Sequence, residues 1–352
     1  MKKMLFLLLT LCFAAGCLAG CGGNGSTPQG GNGDSTEPIV VKWNTVVAES
    51  HPAYALMLEA EKRIEEASEG RLDVQCYPSS QLGADREAYE ALGLGELEIH
   101  YSGSFVLGNF TDKTKFWTLP FFFSSGYDAL YEFFDTYGDE IAEGIAEDCG
   151  IYPVWTINGC FSPLTKDHEV RSPADMAGVQ YRVHELDMFV DAYEQLGAIP
   201  VVMNTSEVYT GLQQGTIDGV HSEVQMIQNS KFYEVCKYYT ANNMAMDMSL
   251  AGVSAKFLDS LPEDLKEILL ENLQWWADAY TEEYMAVLDE TYATLEEEGL
   301  TVTYLTDEEM QVFIDAVQPL YEEFAASGIE PKFEEYYAFA QELNEKYSSQ
   351  AE

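Results

Sequence analysis

A single arginine, Arg182, offers the most specific chemistry in this sequence. It stands near the end of the strand-like run "GVQYRVHE", residues 178–185. A strand read from Val179 delivers it toward its carboxyl end, which is where ligands bind in open α/β sheets. Its planar guanidinium offers a fixed fork of donors that matches a carboxylate bidentately. Spacing alone leaves two interpretations open: Arg182 binds a ligand carboxylate, or it forms a surface or interdomain salt bridge.

The chain around this arginine is strongly acidic. Its 352 residues include 60 Asp and Glu against 18 Lys and Arg, for a net charge of −42. This balance argues against nucleic acid and anionic lipid as partners, because both are bound through clustered basic residues. Small anions are repelled at long range, so a local cation is needed to hold one. The 47% hydrophobic content suffices for one large domain or two smaller ones.

The amino terminus has the layout of a secretory signal. Two lysines precede a leucine-rich segment within residues 1–21, and "LAGC" at residues 18–21 resembles a bacterial lipobox, in which Cys21 is lipidated. The alternative is a retained membrane helix. Residues 22–37 have the composition of a flexible tether with a span of roughly 20 Å. The sequence therefore predicts an extracytoplasmic body held near a membrane by lipid, with a partner in that membrane.

Motifs for catalysis, metals and cofactors are missing from the sequence. The body retains Cys76, Cys149, Cys160 and Cys236 without CxxC or metal spacing, and their pairing does not follow from sequence. The five histidines are dispersed, with no HExxH pattern. We find neither a GxSxG elbow nor a phosphate-binding GxxxxGK[ST] loop. These absences do not exclude catalysis, but they leave an enzyme without named residues, and we expect no metal and no cofactor.

Strand and helix signals alternate in the first half of the body. The strand "IVVKWNTVVAES" (39–50) precedes a helix over 53–68, the strand "RLDVQCYP", a helix from about Asp85 and the strand "LEIHYS". A second unit begins near Ile151 with the strand "IYPVWTING", which ends at the Asn-Gly pair 158–159. This alternation predicts an α/β fold with mainly parallel strands.

The second unit contains clear N-cap signals for two helices. Ser172 caps a short helix just before the strand of Arg182, and Asn204 with Glu207 has the spacing of a capping box. After about residue 259 the chain is predominantly helical. Two α/β units that share a helical tail are the predicted architecture.

Five segments, in order, resemble the solute-binding proteins of tripartite ATP-independent periplasmic (TRAP) transporters, of the DctP type. The likeness covers essentially residues 39–340. The segments are "YPSSQLGADREAYEALGLGELEI" (77–99), "LPFFF" (119–123), "SPADMAGVQYRV" (172–183), "LGAIPVVMNTSEVYTGLQQGTIDG" (196–219) and "KFYEVCKYY" (231–239).

The resemblance implies a two-domain periplasmic-binding-protein-like fold of type II, with a cleft between the domains and a long helix that spans both. Domain I is expected over residues 38–158 plus about 248–287. Domain II is expected over 159–247 plus about 288–352.

The resemblance also implies that Arg182 pairs with a ligand carboxylate. Two departures accompany it, because Phe161 stands where relatives commonly carry a second arginine and Ser222 where they often carry asparagine. Phe161 suits an apolar or ring portion of a ligand or a small cationic group, or it packs in the hinge. The remaining expected pocket residues come from the strand ends of the first domain and from the second wall: Trp43, Val46, Tyr101, Ser102, Gly103, Thr205 and His221.

The resulting hypothesis is a monomeric, lipid-anchored binding protein that captures a small organic acid and delivers it to the membrane subunits of a TRAP transporter. Two alternatives stay open at this point. One is a receptor of the same fold that presents its ligand to a sensor or an ABC permease, and the other is a secreted enzyme.

Overall fold

The computed structural model describes residues 37–348, apart from the side chain of Asn158. The predicted signal, the lipidation site Cys21 and the tether up to residue 36 lie outside the described residues. In the described part no helix is long and apolar enough to cross a membrane.

Ten strands of the described residues build one mixed sheet. They are β1 (Ile39–Thr45), β2 (Leu72–Tyr77), β3 (Ile99–Gly103), β4 (Ile151–Thr165), β5 (Gln180–Val183), β6 (Ile199–Val202), β7 (Gly219–Ser222), β8 (Tyr238–Ala241), β9 (Ala245–Ser254) and β10 (Thr301–Tyr304). Their order is β2-β1-β3-β9-β4-β7-β5-β6, and β8 joins β4 to β10.

Eleven α-helices cover this sheet in the described residues. They are α1 (Pro52–Ala67), α2 (Asp85–Leu94), α3 (Tyr127–Cys149), α4 (Pro173–Met176), α5 (Asp187–Gln195), α6 (Thr205–Gln214), α7 (Val224–Asn229), α8 (Ala255–Ser260), α9 (Glu263–Glu297), α10 (Asp307–Ser327) and α11 (Phe333–Ser348). Short 3-10 helices fill the connection between β3 and α3.

The sheet is parallel toward its two ends and antiparallel in its middle. β1 pairs in parallel with β2 and β3, and β5 pairs in parallel with β6 and β7. The long strands β4 and β9 run antiparallel to each other and to the strands beside them. The α/β prediction is confirmed, whereas the mainly parallel sheet holds only outside this central pair.

Strand β4 does not end at the Asn-Gly pair, as the sequence predicted. It continues to Thr165 through a bulge between Ile157 and Gly159, with β9 as partner before and just after the bulge and β7 as partner from Ser162. Gly159 has φ +149°, and a Cβ on it would lie 2.7 Å from the hydroxyl of Tyr284. Gly159 therefore lets Tyr284 approach the backbone of a continuous strand. It does not form the turn that the Asn-Gly pair suggested.

Strand β9 was not predicted from the sequence. All ten of its residues are buried, so the strand lacks the alternation of apolar and polar residues that marks a half-exposed strand.

The helix caps agree with the sequence at one site and differ at the other. Ser172 and Asp175 form a capping box at α4, as predicted for Ser172. Asn204 is the N-cap of α6, but its side chain makes no capping hydrogen bond.

Helix α9 connects the two ends of the sheet. Its 35 residues give a length of roughly 52 Å. Leu265, Trp276 and Tyr280 pack in the hydrophobic cluster around β1 and α1, whereas Leu295 packs in the cluster around β7 and α7. The two-domain fold with a shared long helix agrees with this packing. The domain boundaries given above stay a prediction.

Gly219 provides a test of this packing. A Cβ on Gly219 would lie 2.5 Å from a ring carbon of Tyr181 and 2.7 Å from the backbone oxygen of Leu164. Because the backbone oxygen cannot move aside, we expect Gly219→Ala to cost about 1–3 kcal/mol and to lower the Tm by several degrees in thermal unfolding. Gly138→Ala in α3 is the matched control, since its nearest neighbour would lie at 3.7 Å. An equal Tm for both variants would contradict the packing.

Candidate ligand-binding site

A cavity of about 90 Å³ lies at the carboxyl ends of the parallel strands. One wall follows β1 and β3, and the other follows β5 and β7. This is the place at which open α/β sheets bind ligands. The lining residues are Val46, Val47, His51, Asp85, Tyr101, Ser102, Gly103, Phe105, Val106, Phe161, Arg182, His184, Thr205, Ser222, Glu223, Met226, Phe232, Ser249 and Tyr280.

Arg182 lies in this cavity and is held by neutral acceptors. Its Nε donates to the carbonyl oxygen of Met203 at 2.9 Å, and one Nη donates to Oγ1 of Thr205 at 3.0 Å. The other Nη lies 3.1 Å from Nε2 of His184. Within the described residues no carboxylate oxygen lies within 4.0 Å of the guanidinium. The salt-bridge interpretation of Arg182 therefore finds no partner there.

Burial makes the Arg182 charge costly. The residue is only 4% exposed, and this desolvation lowers its pKa to about 10, with the charge of Asp85 acting in the opposite direction. The guanidinium is nevertheless protonated at neutral pH. A buried cation without an ion-pair partner is stabilised by an anion that binds beside it.

The hydrogen bond to Arg182 fixes the protonation state of His184. Arginine only donates, so Nε2 of His184 accepts and the proton sits on Nδ1. Burial, followed by the neighbouring charges of Arg182 and His221, lowers the pKa of His184 well below its usual value. The buried Nδ1 has no partner in the described part of the chain. His184 thus keeps one buried N–H donor without a partner among the described residues.

Eight of the ten residues predicted for the pocket surround the cavity, and their contacts with a ligand stay a prediction. They are Val46, Tyr101, Ser102, Gly103, Phe161, Arg182, Thr205 and Ser222.

The other two, Trp43 and His221, lie behind the cavity wall and not at the cavity. Trp43 is fully buried against Trp276, whose ring in turn contacts Tyr101. His221 is fully buried behind Phe161, with ring centroids 5.5 Å apart. Strand alternation explains His221, because its neighbours Ser222 and Val220 point to the opposite face. Burial lowers the pKa of His221 to about 3, so it is neutral at physiological pH.

Phe161 takes part in an aromatic cluster at the cavity. Its ring lies 5.1 Å from that of Phe105 and 5.4 Å from that of His184, both edge-to-face. The residue is 6% exposed. Phe161 thus packs against its aromatic neighbours and also lines the cavity.

Five polar residues at the cavity were missed by the sequence interpretation: His51, Asp85, His184, Glu223 and Ser249. Two of them carried a signal. His184 is two residues after Arg182, on the same face of the extended chain, and Glu223 directly follows the carboxyl end of β7. Tyr280, on α9, carried none, because only the tertiary fold brings that helix to the cavity.

Glu223 is a buried carboxylate that caps α7. It accepts hydrogen bonds from the backbone N–H of Gln225 at 2.7 Å, from that of Met226, and from the hydroxyl of Tyr284 at 3.1 Å. Burial raises its pKa to about 7, although these hydrogen bonds act in the opposite direction. Glu223 is therefore partly ionised near neutral pH.

An ion pair beside the cavity joins its two walls. Arg86, next to Asp85 on α2, donates to Glu185, next to His184, at 2.8 Å. Both side chains are more than half exposed, so the pair contributes at most about 1 kcal/mol. It nevertheless connects elements that meet only across the cavity.

A larger groove of about 950 Å³ runs between α3, β4 and α9. Its described lining includes no Lys, Arg or His, and it carries six acidic residues, which makes it unsuitable for an anion. The acidic residues are Asp128, Glu132, Asp135, Asp139, Asp278 and Glu282. Among the residues that the structure describes, no group of three or more His, Cys, Asp or Glu could hold a metal ion.

The raised pKa of Glu223 makes a prediction about stability. Between about pH 4.5 and pH 7 the folded state keeps a proton that the unfolded state releases, so this group lowers the unfolding free energy as pH rises through that window. We expect the stability of wild type relative to Glu223→Gln to fall by roughly 3 kcal/mol between pH 4.5 and pH 8. Denaturant unfolding at both pH values measures this difference. The exposed control Glu90→Gln should show little change, and a constant offset for Glu223→Gln would contradict the expectation.

Comparisons with known proteins agree with this fold. The sequence profile of the DctP family, described as bacterial extracellular solute-binding protein, family 7, matches residues 43–327. The C4-dicarboxylate-binding periplasmic protein DctP of Vibrio cholerae is 29% identical over 287 residues, which cover 81% of this chain and 86% of that protein. The sialic acid-binding periplasmic protein SiaP of the same organism is 28% identical over 269 residues, 76% and 83% of the two chains.

A solved structure shows the same likeness. A TRAP periplasmic solute-binding protein from Anaerococcus prevotii, with bound D-glucuronate, is 27% identical, has a TM-score of 0.81 and covers 88% of this chain and 99% of its own. The resemblance to DctP-type proteins is thus confirmed, as is a receptor in place of an enzyme. The chain belongs to bacterial extracellular solute-binding protein family 7, the DctP family.

Proposed function

We propose that this protein captures a small organic acid in the cavity between its two sheet ends, with the ligand carboxylate on Arg182, and delivers it to the membrane subunits of a TRAP transporter. The observation that carries the proposal is the buried guanidinium of Arg182, which has three neutral hydrogen-bond partners and no described carboxylate within 4.0 Å. The unpartnered Nδ1–H of His184 supplies a second donor.

The ligands named for the relatives support an acid. They are C4-dicarboxylate and sialic acid for the two Vibrio cholerae proteins and D-glucuronate for the Anaerococcus prevotii structure. Each carries a carboxylate, which is the group that a planar guanidinium binds best. Binding of the ligand would favour the closed arrangement of the two walls, in which Arg86 and Glu185 meet.

We also propose that the protein is a monomer attached to the outer side of the cell membrane through a lipid on Cys21. The support is the sequence "LAGC" after an apolar signal and the polar stretch that follows it. A lipid-attached receptor diffuses in the membrane that holds its transporter.

Arg182→Lys tests the carboxylate contact. Lysine keeps the charge but loses the planar fork, so we expect affinity for the acid to fall by about 2–5 kcal/mol, or roughly 30-fold to more than 1000-fold. Calorimetric titration with the acid that gives the largest thermal shift in a carboxylate panel measures this loss. The exposed control Arg71→Lys should bind as wild type does. An unchanged affinity of Arg182→Lys with unchanged Tm would remove Arg182 from the site.

Cys21→Ala tests the anchor. The full chain expressed in a lipoprotein-processing bacterium should partition into the detergent phase, and the variant should stay in the aqueous phase. A wild-type chain that carries no added lipid mass, measured by mass spectrometry, would contradict the anchor without affecting the binding function.

A further inference from the structure

We propose that the ligand of this cavity is a short zwitterion, with its carboxylate on Arg182 and a cationic nitrogen near Asp85 and Glu223. The inference rests on the proposed function, because it takes the carboxylate on Arg182 as given. It adds that the other end of the ligand carries a positive charge, and it excludes dicarboxylates as ligands.

The charges that line the cavity carry the argument. Arg182 is its one strong cation among the described lining residues, whereas Asp85 and Glu223 are two acids. The two histidines at the cavity do not balance them. Nδ1 of His51 accepts a hydrogen bond from the backbone N–H of Ala53, so this ring is neutral, and Nε2 of His184 accepts from Arg182. Once a carboxylate neutralises Arg182, no further Lys or Arg among the described lining residues balances the two acids.

Asp85 faces the cavity without a strong cation. It stands in the first turn of α2, and its described partner is Nε2 of His100 at 3.1 Å. Its side chain is 29% exposed, and no described Lys or Arg nitrogen lies within 4.0 Å of it. Arg86, the nearest basic residue in sequence, is paired with Glu185 instead. A ligand cation at Asp85 would therefore meet a carboxylate whose described ion-pair partner is a histidine and not a Lys or Arg.

Glu223 is placed in the same way on the opposite wall. Its three hydrogen-bond donors are two backbone N–H groups and the hydroxyl of Tyr284, all neutral. The residue is 5% exposed, and a buried carboxylate is stabilised when a cation approaches. A second ligand carboxylate in this region would instead be repelled by both acids. The site thus favours a positive group and disfavours a negative one beside these two acids.

The neutral walls and the size of the cavity restrict the ligand further. The aromatic side chains of Phe161, Tyr101 and Tyr280 line it, and aromatic faces attract ammonium groups, including alkylated ones. A cavity of about 90 Å³ restricts the ligand to a small molecule. A short amino acid or betaine meets both limits.

The test uses ligands of matched length that differ only at one end. Thermal shift and calorimetric titration of the mature chain compare zwitterions, monocarboxylates and dicarboxylates of the same carbon number, such as 4-aminobutanoate, butanoate and succinate, together with the two- to five-carbon members of each series and glycine betaine. We expect a zwitterion to bind at least 10-fold tighter than its monocarboxylate and at least 100-fold tighter than its dicarboxylate. A dicarboxylate or monocarboxylate that binds as tightly as every zwitterion, or no binding by any zwitterion, overturns the inference.

Two variants locate the cation. Asp85→Asn and Glu223→Gln should each lower the ratio of zwitterion affinity to matched monocarboxylate affinity at least 10-fold, and should strengthen the dicarboxylate. Asp264→Asn, an exposed acid remote from the cavity, is the control. Circular dichroism and thermal unfolding show whether each variant is folded. An equal loss for both ligand types overturns the assignment.

The proposed function and this inference fail in different ways. Tight binding of any other acid that is abolished by Arg182→Lys would leave the proposed function intact and overturn only the zwitterion. Binding of neutral or purely cationic compounds that is indifferent to Arg182→Lys would overturn both.

Discussion

Arg182 brings a full positive charge into the interior of this protein, and no carboxylate oxygen of the described residues lies within 4.0 Å of it. Three neutral groups, the carbonyl of Met203, the hydroxyl of Thr205 and Nε2 of His184, accept hydrogen bonds from three of its five N–H donors and fix its orientation. Hydrogen bonds of this kind position a guanidinium but do not cancel its charge, and burial lowers its pKa to about 10. A bound anionic group would balance this buried charge, as we propose for the ligand carboxylate.

The net negative charge of the protein determines how selectively Arg182 binds an anion. With a net charge of −42 the protein repels anions at distances up to the screening length, about 8 Å at physiological ionic strength. Capture then depends on short-range contacts within the cavity, where a buried pair is screened much less than a surface pair. The same reasoning applies to the two acids that line the cavity, because Asp85 has only His100 as a described ion-pair partner and Glu223 accepts hydrogen bonds from neutral groups.

The middle of the sheet brings these groups together. Strand β4 contributes to both ends of the sheet, and its bulge at Gly159 lets Tyr284 of α9 and the side chain of Glu223 approach the backbone. Tyr284 donates a hydrogen bond to Glu223. Helix α9, strand β4 and one carboxylate of the cavity are therefore in contact at this place. A change of position between the two sheet ends would be transmitted to the cavity through these contacts, since packed groups move together.

The sequence by itself determined the fold class, the family and the strand that carries Arg182. These follow from local signals: apolar alternation, helix caps such as Ser172, and several segments in a fixed order. Eight of ten predicted pocket residues surround the cavity because the carboxyl ends of parallel strands converge at one edge of a sheet. The local pattern did not reveal β9, whose residues are all buried, or the continuation of β4 through Gly159.

Only the tertiary structure decided which side chains share the cavity and with what charge. Trp43 and His221 look like pocket residues in the sequence, but packing against Trp276 and Phe161 places both behind its wall. Asp85, Glu223 and Tyr280 are remote from Arg182 in sequence, and their meeting depends on how helices dock on the sheet. Burial, which sets the pKa of Glu223 and the neutrality of the histidines, is a property of that docking, and no single segment encodes it.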